Sequence, residues 1–267
     1  MKIHPTAVID PSATLGSDVE IGAYVVVGEG VEVGDGTILH PHVVLCRGVR
    51  LGEKNTVHSG AILGGQPQDL GFSPDTRSFV EIGNRNTIRE HVTIHRGSKA
   101  NSVTRVGHDC FLMAGAHLGH DVQLGSRVIL ANNCLLGGFA VVEDRVFMGG
   151  GSVLHQHTRV GQLAMIQGLS GFSKDVPPFT IAAGRNGVAG LNIVGLRRAG
   201  FDMAARAEIK EAWKLVFRSG QNVRQALVSA RERTWRAETE SFFCFIESSK
   251  RGICDLRITS VDVSGEV

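Results

Sequence analysis

The sequence predicts a mainly β protein: a parallel β-helix followed by a small α-helical domain. Three observations carry that expectation. An aliphatic residue recurs every six positions over long stretches, glycine repeatedly follows it, and beyond Pro177 and Pro178 the apolar spacing becomes helical. A six-residue apolar period suits neither a 3.6-residue helix nor a simple alternating strand. It suits short strands joined by tight corners, three hexapeptides to a triangular coil.

In order, the aliphatic column runs through Ile3, Ile9, Leu15, Ile21, Val27, Val33, Leu39, Leu45, Leu51, Val57 and Leu63. Gly16, Gly22, Gly28, Gly34, Gly52 and Gly64 follow it where the chain turns and a side chain would collide. The column then breaks and resumes at Ile82, Ile88 and Ile94, so residues 65–80 read as an inserted loop, a common place for function in a solenoid. From Val106 it continues through Leu112, Leu118, Leu124, Leu130, Leu136, Val142, Met148, Leu154, Val160 and Ile166 to Phe172. The β-helical domain is thus expected over residues 1–184 and a helical domain over 185–267, joined by a Gly-rich connection at 182–195. Helices are predicted at 201–219, closed by Gly220, at 222–232, and from a cap at Thr239 through Ile246 toward Gly252. The last eight residues read as frayed.

Composition narrows the class. Glycine is 34 of 267 residues without a G-X-Y period, and five scattered cysteines form no CxxC pair, which argues against a disulfide framework or a structural zinc site and fits a reducing cytoplasm. No apolar run is long enough for a signal peptide or a membrane span. Residues 185–267 carry 14 Lys/Arg against 10 Asp/Glu, leaving 14 against 16 before them, so the tail is basic and the body slightly acidic. Aromatic residues do not interleave with the basic ones, so nucleic acid is not an expected partner.

A coil filled with aliphatic side chains has no interior cavity, so an active site must lie on an outer face, at the loop or between protomers. Residues 114–121, AGAHLGHD, then become informative. His117 and His120 flank the inward Leu118 at −1 and +2 and belong on the surface. His120 can accept a proton near neutrality, and Asp121 next to it can orient the ring. His95 and His155 each directly follow an inward aliphatic residue, at a corner. The other seven histidines read as solvated corner residues.

The hexapeptide coil, Gln68-Asp69-Leu70, the TIHRG run ending at Gly97, AHLGHD, the LHQ around His155 and the NIVGLRRAGF segment from Asn192 together resemble the UDP-N-acetylglucosamine O-acyltransferase family of bacterial lipid A biosynthesis. The resemblance covers nearly the whole chain. It implies a left-handed β-helix, a homotrimer with sites between neighbouring prisms, and transfer of a (3-hydroxy)acyl chain from acyl carrier protein to the 3-hydroxyl of UDP-N-acetylglucosamine. A column beginning at Ile3 leaves no preceding domain, which separates this family from the N-acyltransferase of the same pathway. Acyl transfer from a thioester needs a base and an oxyanion donor and no metal or other cofactor. By resemblance His120 and Asp121 supply the first and the Gly138 amide the second. Gln68, Asp69, His95, His117, His155 and Gln156 would line the acyl and sugar sites, Asn192 and Arg198 would reach the nucleotide diphosphate, and Gly168 falls where the family sets acyl length.

This chain departs from the family pattern at Gly71, Phe139, Val194 and Ala199, where the family usually carries lysine, histidine, glutamate and arginine. Each substitution removes a polar side chain. Three alternatives follow: a paralogue with another acyl group or nucleotide sugar, a non-catalytic scaffold, or a metal site on His95, His117 and His155 such as carbonic anhydrases of this fold hold. The basic helices are either a solvated face or a docking surface for an acidic carrier protein.

Overall fold

The computed structural model describes residues 1–257. The expectation about the frayed C-terminus falls outside them. Strands, mostly of two residues, stack in parallel with a step of 18, as Lys2–Ile3 lies on Glu20–Ile21 and Val8–Ile9 on Val26–Val27. Three faces result among the described residues. One has twelve strands from Lys2–Ile3 to Asp255–Leu256, one has nine from Val8–Ile9 to Gly171–Phe172, and one has eight from Thr14–Leu15 to Arg159–Val160.

The predicted column points inward, with Leu39, Leu45, Leu63, Ile88, Leu118 and Leu136 at most 1% exposed. A second inward column, two positions earlier, was not anticipated. It holds Val25, Val43, Ala61, Ala116, Val122, Cys134 and Ala140, all fully buried. Alternation within each short strand sends residues i−2 and i inward and i−1 outward. Cys110 and Cys134 belong to this column, which gives them a packing role. Its polar members pair with each other: the Asn55 side-chain carbonyl accepts from Asn86, and that of Asn86 accepts from the Cys110 amide.

The corners explain the glycines. A Cβ on Gly34 would lie 2.5 Å from the backbone of Gly52 in the next coil. Three positions after most inward aliphatic residues the backbone enters the left-handed region, as at Asp121 (φ 60°), Phe139 (φ 60°) and His157 (φ 64°). Asp tolerates this well, a phenylalanine less so.

Two excursions leave the coil. Leu51 faces Ile82, 31 positions later instead of 18, so thirteen extra residues, 66–78, form the loop. It is slightly shorter than predicted because Ile62–Gly65 and Phe79–Ile82 are strands. Buried Arg96 anchors it by donating to the carbonyls of Thr76 (2.6 Å) and Pro74 (3.0 Å). Ile82 faces Val106, 24 positions on, so a second excursion of six residues sits within 96–102.

The predicted Gly-rich connection is structured. Thr180–Ala183 pairs antiparallel with Gly187–Leu191, and α1, Ile193–Arg198, follows. Helix α2 is Met203–Arg218 with Asp202 as its cap, and α3 is Val223–Ala230 with a capping box from Asn222 and Gln225. Helix α4, Ala237–Glu247, starts earlier than expected; Thr239 lies inside it and is buried, so it is no cap. The chain then returns to the coil, where Asp255–Leu256 pairs with Gly187 and Val188.

Candidate active site

The 18-residue step turns the corner between the nine- and eight-stranded faces into a grid. Ile94, Leu118, Leu136 and Leu154 are stacked in register. One position after each stand His95, Gly119, Gly137 and His155; two positions after stand Arg96, His120, Gly138 and Gln156; three after stand Gly97, Asp121, Phe139 and His157. The outward strand positions just before them carry Thr93, His117, Leu135 and Val153. Thus His120 lies in the coil directly beneath Gly138.

His120 is mostly enclosed, its side chain 16% exposed, and its Nδ1 lies 2.9 Å from Oδ2 of Asp121. The opposite side of the ring overlies Gly138: a Cβ there would come within 2.6 Å of both Nε2 and Cε1. Only glycine leaves room for this seat. The Gly138 N–H has no hydrogen-bond partner among the described residues, whereas neighbouring Gly137 and Phe139 donate to Leu154 and His120 carbonyls. Nε2 therefore lies against a glycine whose amide is free. Phe139 flanks the ring, edge-on to His120 at 5.1 Å and stacked on His157 at 4.7 Å.

Asp121 is held from the second excursion. The N–H and Oγ–H of Ser98 both donate to its Oδ2, at 2.9 and 2.6 Å, and its own amide donates to Thr104 Oγ1 at 2.8 Å. Burial pushes the Asp121 carboxyl up, but the bonds from Ser98 and His120 outweigh it and hold the group below its ordinary value. His95 is pushed down to about 4, first by burial and then by the neighbouring His117 and His120. Burial also lowers His117, whose Nδ1 meets Thr93 Oγ1 at 2.7 Å. His95 and His117, in edge contact at 4.8 Å, are therefore neutral at physiological pH.

His155 and Gln156 stand exposed two coils above His120, and Arg251 Nη2 approaches His155 Nδ1 at 3.4 Å. Gly119 and Gly137 separate His95 from His155 in one column, about 14 Å over three rungs of ~4.8 Å. Within one chain His95 and His155 are too far apart to share a metal ion, and among the described residues no three His, Cys, Asp or Glu side chains converge as a metal site. In the loop, Gln68 and Asp69 are exposed, and Asp69 accepts from the Gly71 amide at 2.9 Å.

The remaining predicted residues lie elsewhere. Gly168 belongs to the corner between the twelve- and nine-stranded faces, across the full width of the nine-stranded face from His120. Asn192 and Arg198 overhang the twelve-stranded face in a cavity of about 820 Å³, with Ile129, Phe147 and Met165 beneath and Arg127 and Arg145 beside them. The Asn192 side chain is already engaged, capping α1 at the Gly195 amide and donating to the Leu163 carbonyl. One chain therefore does not gather all the predicted residues at one point. A larger hollow of about 880 Å³ lies over the eight-stranded face, but Glu32, Arg50, Glu81 and Arg105 pair with one another across it.

Ser98, Thr104 and Thr93 were not anticipated. The available signal was the missing aliphatic residue at Ala100, between Ile94 and Val106.

Comparison with known proteins converges. Residues 175–254 match the family model described as UDP N-acetylglucosamine O-acyltransferase, domain 2, and residues 1–35 and 104–138 match the bacterial transferase hexapeptide model. Acyl-[acyl-carrier-protein]--UDP-N-acetylglucosamine O-acyltransferases of Synechocystis and Anaeromyxobacter are 40% and 41% identical to it, over 92% and 95% of this chain and 90% and 99% of theirs. The solved UDP-N-acetylglucosamine acyltransferase of Francisella novicida superposes with a TM-score of 0.92 at 33% identity, over 97% of this chain and 95% of that one. The Moraxella catarrhalis O-acyltransferase gives 0.90 at 35%, over 95% and 100%. The coil is the left-handed β-helix of these structures. Relatives of one name over nearly the whole chain do not favour the altered-substrate or scaffold alternatives.

Proposed function

The chain belongs to the UDP-N-acetylglucosamine O-acyltransferase family, and we propose that His120 is the general base that moves an acyl chain from acyl carrier protein to the 3-hydroxyl of UDP-N-acetylglucosamine, the first step of lipid A biosynthesis. The observation that carries the residue assignment is the seat of His120: Nδ1 on Asp121, Nε2 against Gly138 and its free amide.

Nε2 takes the proton of the sugar hydroxyl as its oxygen attacks the thioester carbonyl. Charge develops on the former carbonyl oxygen, where the Gly138 N–H donates to it. The intermediate collapses, the C–S bond breaks, and the carrier thiolate leaves and takes the proton from the imidazolium. Asp121 stays ionised, accepts from Nδ1–H and fixes the tautomer in which Nε2 is basic. The step as written requires neither metal nor cofactor. Neutral His95 and His117 can contact the acyl and sugar groups without adding charge.

A homotrimer completes the site in this reading. The nine-stranded face exposes Val8, Val26, Ile62, Leu135 and Val153 at 39 to 64%, an apolar stripe, while the eight-stranded face is an ion ladder. Packing the apolar face of one copy on its neighbour would bring the Asn192–Arg198 cavity of one chain toward the His120 corner of another, where Gln68, Asp69, His155 and Gln156 contact substrate and Gly168 limits the acyl chain. Acyl carrier protein would dock on α2, where Arg206, Lys210, Lys214 and Arg218 recur every four residues with no ion pair among the described residues. We place the reaction in the cytoplasm, whose reducing environment suits five free cysteines, and no helix among the described residues is long and apolar enough to cross a membrane. Mass spectrometry of the product from acyl carrier protein thioesters and UDP-N-acetylglucosamine tests the reaction; an ester at O3 is expected, and no product from any thioester would refute it.

A further inference from the structure

We propose that Ser98 is a positioning residue of the catalytic dyad, acting on His120 only through Asp121. The inference rests on the reading of His120 as base.

Asp121 sits at a corner in the left-handed region, with its side chain buried. One oxygen, Oδ2, faces His120 Nδ1 at 2.9 Å, and both donors of Ser98 converge on that same oxygen, N–H at 2.9 Å and Oγ–H at 2.6 Å. A carboxylate oxygen gripped by two donors from a neighbouring segment has one orientation left for its third partner. Thr104 fixes the other end by accepting from the Asp121 amide at 2.8 Å. Ser98 reaches this place because six residues are inserted into the coil between Ile94 and Val106. The insertion is itself tied down: Ser102 Oγ donates to the Lys99 carbonyl and accepts from the Lys99 amide, both at 2.9 Å. The hydroxyl does not touch the space between Nε2 and Gly138, so its effect must pass through the carboxylate.

The test is a kinetic cycle with Ser98→Ala, Ser98→Thr, Asp121→Asn and the double variant, beside wild type and His120→Ala. A positioning role predicts that Ser98→Ala lowers kcat roughly 10- to 100-fold with both KM values within about twofold, since a misaligned catalytic group costs on that order. Ser98→Thr, which keeps the hydroxyl, restores the rate to within about threefold. In the Asp121→Asn background Ser98→Ala has no further effect. An undiminished kcat in Ser98→Ala, or an equal further loss in the Asp121→Asn background, overturns the proposal. A separate readout needs no turnover: in isotope-labelled protein the His120 Nδ1–H proton gives a downfield NMR signal that broadens away in Ser98→Ala and returns in Ser98→Thr. An unchanged signal in Ser98→Ala also overturns it. Full activity of His120→Ala would instead refute the underlying reading, so the two failures are distinct.

Discussion

Replacing Gly138 with alanine adds one methyl group at the most crowded point of the site. The Cβ would stand 2.6 Å from His120 Nε2 and Cε1 and 3.1 Å from Nδ1, where carbon contacts normally lie at about 3.5 to 4.0 Å. The ring must retreat by about 1 Å, and it retreats against the 2.9 Å bond to Asp121 and the edge of Phe139. Displacement of that size costs roughly 100-fold in rate, or about 2.7 kcal/mol of barrier. The backbone at Gly138 lies outside the left-handed region, so alanine adds no strain there, and the amide N–H is retained. A loss of activity therefore reports ring position and not a missing oxyanion donor. Crowding of the enclosed ring should cost about 1 to 3 kcal/mol of stability, as overpacking does, and leave the protein folded. Single-turnover acyl transfer and thermal unfolding on one preparation provide the assay. A Gly138→Ala protein that transfers acyl groups at the wild-type rate would refute the reasoning.

Other perturbations probe the coil, its electrostatics and its assembly. His95 is held near 4, below its ordinary 6.5, so the unfolded chain binds more protons between those values. Its neutral burial is accordingly tolerated above pH 6.5 and destabilises as pH falls toward 4; His95→Gln should flatten that part of a urea-midpoint profile. Leu118→Ala empties a fully buried site beside the dyad and should cost about 2 to 5 kcal/mol in denaturant titration. Leu135→Glu puts a charge into the exposed apolar stripe and should convert a trimer to monomers in light scattering, with loss of turnover; an unchanged mass would argue against that face as the interface.

Much of the fold was legible because each coil repeats the same demands: an aliphatic residue inward and a residue without bulk at the corner. The second inward column escaped notice because it mixes Val, Ala, Cys, Thr and Asn, united by size and not by hydrophobicity. The six-residue insertion escaped because it equals one period and leaves the phase of Ile94 and Val106 intact. Ser98 went unseen with it. His120, Asp121 and Gly138 were legible as neighbours once 18 residues made a coil, since Gly138 follows His120 by that step. The separation of Gly168, Asn192 and Arg198 from that corner is a matter of which face each segment occupies, and hexapeptide counting alone did not draw attention to it. Thr239 resembles a cap by residue type, yet the helix begins at Ala237 and buries it.

The most direct measurement is the single-turnover rate of acyl transfer to UDP-N-acetylglucosamine by wild type and His120→Ala, with assembly and melting temperature matched. Loss of nearly all transfer, about 100-fold or more, by a variant that remains folded and assembled is the predicted result. Transfer at the wild-type rate without the imidazole would contradict the account.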